Sequence, residues 1–254
     1  MHSGPMVGYV SLGKGPVSVR VVGAQIATCP TDVQGVLAKI ENIATHERWI
    51  NSKRPDVVFL PEHTFTRYDA DAAVRIASLS RKGKMSIGYG VKENTKNPDK
   101  GDFYCVVQPN GDINVAYKKA LSRKTLRTGQ DGFIRLSLST FSFLIAIGVD
   151  ILGEEARKEM DAHGRPDIFI VPIDTRMADW AQKYPETASK VIGNGNILIV
   201  NSEGYSNRFA GKEVYYGGFS SFLGRSETSD RVQTTLRHDE GYLIVDLLKE
   251  DPLT

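Results

Sequence analysis

A chain of 254 residues, 41 % hydrophobic and 24 % charged, has the make-up of a globular protein. It is long enough to bury about three-quarters of its unfolded surface. A formal net charge of +2 points to no polyanionic partner or membrane surface. Two cysteines, Cys29 and Cys105, are too few for a disulfide framework. The longest apolar run, around residues 141–147, is far short of a membrane span. A reducing, cytoplasmic setting is the expectation.

Residues 1–16 are rich in Gly and Pro and lack a basic start followed by an apolar run. They read as a flexible arm ahead of one domain at 17–250. Residues 17–27 alternate apolar and small side chains, as a strand does. Thr31 to Gln34 has capping-box spacing, and Val33, Leu37, Ile40, Ala44 and Ile50 then recur at helical intervals. A short apolar strand at 56–60 ends in Pro61-Glu62-His63. A helix at 70–82 follows, with Gly83 as its expected C-terminal cap. Strands are expected at 84–91, 103–108 and 112–118, the last two joined by a hairpin at Asn110-Gly111.

The order then repeats. Strand-like runs lie at 133–139 and 141–149, a helix at 154–163, a strand at 167–172 and a helix at about 180–192. Strands follow at 197–201, 214–222 and 242–247. The halves echo each other in Val58-Phe59-Leu60-Pro61 and Phe169-Ile170-Val171-Pro172. Two such halves predict an α+β fold, a four-layer α-β-β-α sandwich of two mixed sheets face to face.

Three segments carry candidate chemistry: Val57-Val58-Phe59-Leu60-Pro61-Glu62, then Tyr117-Lys118-Lys119 after the hairpin, then Ile147-Gly148-Val149-Asp150-Ile151-Leu152 with Glu155-Ala156-Arg157 behind it. In order and spacing they resemble the segments of the carbon–nitrogen hydrolase (nitrilase) superfamily that bear its catalytic glutamate, lysine and cysteine. Val22-Gly23-Ala24-Gln25, Val171-Pro172 with Trp180, Val200-Asn201 with Gly204, and Tyr216-Gly217-Gly218-Phe219-Ser220 resemble its other strand ends. The resemblance spans about residues 17–247.

The chemistry it implies is attack by a thiolate on an amide or nitrile carbon. A glutamate moves the proton and a lysine stabilises the developing oxyanion. Glu62 matches the base and Lys119 the cation, but the nucleophile position is Gly148. Thr125 and Leu126 stand where the family usually has a second glutamate. Leu121 replaces a frequent histidine, and Ile192-Gly193 a frequent Glu-Asn pair. The expectation is therefore a catalytically inactive member acting as a binding or assembly module, with Glu62 and Lys119 kept as a structural ion pair. The alternative is hydrolysis of an amide or other C–N bond by water activated at Glu62 and assisted by Lys119.

The layout implied by the family places the basic run Lys118, Lys119, Arg123, Lys124 and Arg127 at the pocket rim. It reads as a contact for an anionic ligand or as a solvated loop. Tyr117, Arg123 and Trp180 are the candidate binding residues, for a small amide or an anion. The resemblance also implies a homo-oligomer, a dimer or larger, using the helix after Gly148. No H-x-x-x-H or C-x-x-C spacing is present, and His46, His63, His163 and His238 are scattered. Neither a metal nor another cofactor is expected, and neither nucleic acid nor membrane is an expected partner.

Overall fold

Strands with apolar residues on both faces need cover on both sides, and that requirement sets the layering. The computed structural model describes residues 6–28, 32–45, 49, 52–65, 67–92, 102–118, 132–175, 178–193, 195–209, 212–226, 229–236 and 240–250. A seven-stranded sheet has the order β1 (Met6–Leu12), β15 (Gly241–Lys249), β2 (Val17–Gln25), β3 (Val57–Phe59), β4 (Ser86–Val91), β5 (Phe103–Val107), β6 (Ile113–Tyr117). A six-stranded sheet has the order β14 (Ser229–Thr235), β13 (Ser221–Ser226), β10 (Ile197–Asn201), β9 (Ile168–Ile173), β8 (Phe141–Ala146), β7 (Phe133–Leu138). Each is mixed: β2, β3 and β4 run parallel, as do β10, β9 and β8, with antiparallel pairings outside them apart from the parallel edge pair β1–β15. A separate two-stranded sheet joins β11 (Glu203–Phe209) to β12 (Lys212–Gly217).

Side-chain alternation divides the apolar residues into three cores. Val19, Val21, Val57 and Phe59 meet Phe143, Ile145, Ile170 and Leu198 between the sheets. Their strand neighbours Val22, Val58 and Leu60 point the other way, onto helices α1 (Val33–Thr45) and α2 (Ala70–Gly83). On the far side Leu144, Phe169 and Ile199 pack beneath α3 (Glu154–His163) and α4 (Ala178–Val191). The expected four-layer sandwich is thus the architecture found. No helix among the described residues is long and apolar enough to cross a membrane.

Local signals explain the element ends, with corrections. Asp32 accepts from Gly35 N (2.7 Å) ahead of α1, and Asp69 caps α2 by accepting from Ala72 N (2.9 Å). The left-handed residue closing α2 is Lys84 (φ 53°), not Gly83. The segment 214–222, expected as one strand, is divided between β12 and β13, because Gly218 (φ 62°) and Phe219 (φ 59°) turn the backbone between them.

The largest correction is at the N-terminal side. Residues 6–12, expected within a flexible arm, form edge strand β1, paired in parallel with β15. Val10 and Leu12 are buried between the sheets. Gly8, which read as a sign of flexibility, lies where a Cβ would come within 2.6 Å of Leu243 and 2.8 Å of Thr234. The strand is tied down by the Tyr9 hydroxyl, which donates to Asp246 Oδ2 (3.0 Å). Asp246 also receives two bonds from the fully buried Arg20 guanidinium, at 2.7 and 2.6 Å. Burial pushes the Asp246 carboxyl up, but the Arg20 hydrogen bonds and charge outweigh it and hold the group below the usual carboxylate range.

Candidate active site

β3 leaves its sheet through Leu60 and Pro61 into a buried turn. The Leu60 amide donates to Gly88 O (2.9 Å), and the buried Tyr104 hydroxyl donates to Leu60 O (2.7 Å). The Thr64 hydroxyl closes the turn on Pro61 O (2.8 Å), and Phe65 N bonds Gly90 O (3.0 Å). Glycine is required at 90, since a Cβ there would lie 1.6 Å from Glu62 O. This packing fixes Glu62, whose side chain is 3 % exposed.

Two other strand ends converge on it. Lys118 follows β6, its amide held by Asp102 O (2.8 Å), and its Nζ donates to Glu62 Oε1. Gly148 follows β8 and opens a short 3-10 helix, Gly148–Leu152. Its carbonyl accepts from the buried hydroxyl of Tyr184 on α4. A Cβ on Gly148 would lie 2.8 Å from Glu62 Oε2 and 3.0 Å from Lys118 Nζ. The seven-stranded sheet therefore supplies the carboxylate and the ammonium, and the six-stranded sheet turns Gly148 towards both.

His63 extends the cluster. Its Nδ1 bonds Asp174 Oδ2, at the end of β9, and its Nε2 lies 3.0 Å from Asp102 Oδ2 and 3.5 Å from Glu62 Oε1. Burial would lower the His63 pKa, but the Asp102 and Asp174 carboxylates outweigh it and carry the group to about 9. Burial raises the Glu62 carboxyl, and the charges of His63 and Lys118 oppose that only in part. Asp102 is lowered, its burial outweighed by His63 and Lys118.

Of the residues singled out from sequence, Glu62 and Gly148 meet in this cluster, whereas Lys119 and Arg123 lie outside the described residues. Among the described residues, the lysine bonded to Glu62 is Lys118. Tyr117 packs with the core beneath α1 and α2, its ring 5.6 Å from Phe103. Trp180 sits one step from the site, its ring 4.3 Å from that of Tyr184. His63, Asp102 and Asp174 carried no sequence signal. Their only linear hint is the adjacency of His63 to Glu62.

No protein-family model matches the chain, and no curated protein does. Solved structures do. A cysteine-to-serine variant of the amidase from Nesterenkonia sp. AN1, of the nitrilase superfamily, matches with TM-score 0.69 at 16 % identity, over 89 % of this chain and 90 % of that one. The chain has the nitrilase-superfamily fold. A double variant of the same amidase in complex with acrylamide matches with TM-score 0.70 at 17 % identity, covering 92 % and 93 % of the two chains. A cysteine-to-alanine variant in complex with butyramide gives 0.68 at 16 % identity, covering 90 % of each.

Within this nitrilase-type sandwich Gly148 is held at φ 54°, a region that side-chain-bearing residues enter only under strain. Gly148→Ala is expected to cost about 1–2 kcal/mol of stability from that conformation. The cost is not larger because the atoms in its way are the far ends of the Glu62 and Lys118 side chains and not backbone. Urea unfolding of the variant checks this, and an unchanged midpoint would show that the turn is not left-handed at 148.

Proposed function

We propose that this chain is a nitrilase-fold protein without the thiol nucleophile, acting by binding rather than by amide hydrolysis. One observation carries the reading. The backbone position that faces both Glu62 and Lys118 is a glycine, so among the described residues the cluster holds a base and a cation with no attacking atom between them, and Cys29 lies outside those residues. In a glutamate-to-glutamine variant of the similar Nesterenkonia amidase, acrylamide adds by Michael addition at the active-site cysteine. Cys105, the free cysteine among the described residues, is buried in β5 with its thiol pushed up to about 11 by burial, which suits core packing and not attack.

What remains is a buried Glu–Lys pair, and removing either partner strands the other charge. That cost gives the pair a structural reason to persist without catalysis. A second reading draws on the raised Glu62 carboxyl, which suits a general base. In it, Glu62 deprotonates a water beside Gly148 and Lys118 steadies the oxyanion, taking the role expected of Lys119.

Incubation with a panel of amides, nitriles and carbamoylated amines separates the two readings. The binding reading expects product formation at the buffer rate, the same for wild type and Glu62→Gln. Turnover in wild type that disappears in Glu62→Gln would establish the water mechanism instead.

A further inference from the structure

We propose that Glu62, His63 and Asp102 form a binding site for one divalent transition-metal cation, held by His63 Nε2 and one oxygen from each carboxylate. The inference rests on reading the cluster around Gly148 as a binding site, and it names the ligand.

The three donor atoms converge. His63 Nε2 is 3.0 Å from Asp102 Oδ2 and 3.5 Å from Glu62 Oε1, and all three atoms lie within 4.8 Å of one another. Bonds of about 2.0–2.2 Å to nitrogen and oxygen in a tetrahedral zinc site put neighbouring ligand atoms about 3.3–3.6 Å apart. Two edges of such a tetrahedron are already close to their required length, and small side-chain rotations supply the third. The donors come from the rigid turn after β3 and the start of β5, so little chain has to be ordered on binding.

The imidazole is also aimed. Asp174 engages Nδ1, which leaves Nε2 turned towards the two carboxylates. A carboxylate on the far nitrogen is the usual support of a metal-binding histidine. Asp174 gives an independent sign that the cluster has an unfilled contact. Its side chain is 6 % exposed, and its second oxygen, Oδ1, is buried with no hydrogen-bond partner among the described residues. Among the described residues, the carboxylates of Glu62, Asp102 and Asp174 surround the His63 imidazole, with the Lys118 ammonium on Glu62 and the charge of Lys92 felt at Asp102.

Lys118 shares Glu62 Oε1 with the proposed metal and has to move aside. The missing side chain at Gly148 provides the room, because a Cβ there would touch both Lys118 Nζ and Glu62 Oε2. The ammonium can transfer to Oε2 and leave Oε1 to the metal. One imidazole with two carboxylates suits zinc and its first-row neighbours. It does not suit a thiolate-seeking ion or the all-oxygen shells of magnesium and calcium.

The test uses the full chain, stripped with a chelator and titrated with Zn²⁺ by calorimetry and with Co²⁺ by visible absorption. One site per chain is expected, with four-coordinate Co²⁺ bands. His63→Gln should abolish the bands, and Asp174→Asn should weaken affinity about 10–100-fold while keeping one site. Asp102→Asn repeats the test should His63→Gln fail to fold. Absence of a stoichiometric site, or affinity unchanged in both ligand variants, overturns the proposal and leaves His63 as a clamp between carboxylates. The amide panel is run with and without Zn²⁺. No Zn²⁺ binding and no turnover removes the metal site and spares the binding reading. Zn²⁺-dependent turnover removes the binding reading and spares the site.

Discussion

Asp246→Ala is expected to destabilise the protein by about 3–5 kcal/mol, the cost of stranding one member of a buried ion pair. Arg20 is 1 % exposed, and both of its bonds to Asp246 would be lost, leaving Lys53 O (2.6 Å) as an acceptor for Nη1. The Tyr9 hydroxyl would lose its acceptor as well, so β1 should loosen first. Replacing both charged residues, as Arg20→Met with Asp246→Leu, should cost much less than Asp246→Ala alone, since no charge then remains to be paired. Urea unfolding of the three proteins measures this, and a loss below about 1 kcal/mol in Asp246→Ala would show that the pair is solvated.

The same pair fixes a pH dependence. The folded carboxyl of Asp246 titrates below its unfolded value, which is about 3.9. The pair's contribution is therefore complete above that value and is lost as pH falls through the lower, folded one. Wild type should lose stability on acidification more steeply than the doubly substituted protein.

Gly148→Cys is expected to leave turnover on any amide at least about 10²-fold below that of an intact nitrilase-superfamily amidase, the loss that about 1 Å of misplacement can cause. The new thiol would stand between Glu62 and Lys118, where positive charge favours the thiolate. Yet its Cβ would force both side-chain ends outward, and it would have to hold a left-handed backbone. The departures at Leu121, Thr125, Leu126 and Ile192 would remain. Glu62 would also still face His63 and its two carboxylates, a set of charges not built for a thiol. Steady-state rates on a broad amide panel, beside an intact relative of the fold, decide the matter. Comparable turnover would mean that Gly148 alone separates this chain from a working amidase.

Much of the layering was legible, because buried strands such as 168–173 and amphipathic helices such as 70–83 write their burial into short-range periodicity. β1 was not, since Gly8 has no side chain to show on which face it is buried, and its pairing partner is remote. At the site, Glu62 and Gly148 could be read from strand-end segments. The cation was less legible: Lys118 and Lys119 stand side by side in the segment, Lys118 bonds Glu62, and Lys119 lies outside the described residues. Asp102 and Asp174 could not be joined to His63 from the sequence because they stand 39 and 111 positions from it. No linear spacing rule reaches that far.

The pairing of β1 with β15 has a consequence for how the chain assembles. β15 lies between β1 and β2, although those two follow each other directly in sequence. The nearest neighbours along the chain must therefore leave a strand-wide slot between them until a segment some 237 positions away arrives to fill it. Until then both edges of the slot present unpaired amides and carbonyls, open to any other extended segment. Contacts of such long range are made late and slow folding. The seven-stranded sheet thus closes like a zip fastened by its last tooth, and the waiting slot is where misassembly during refolding should begin.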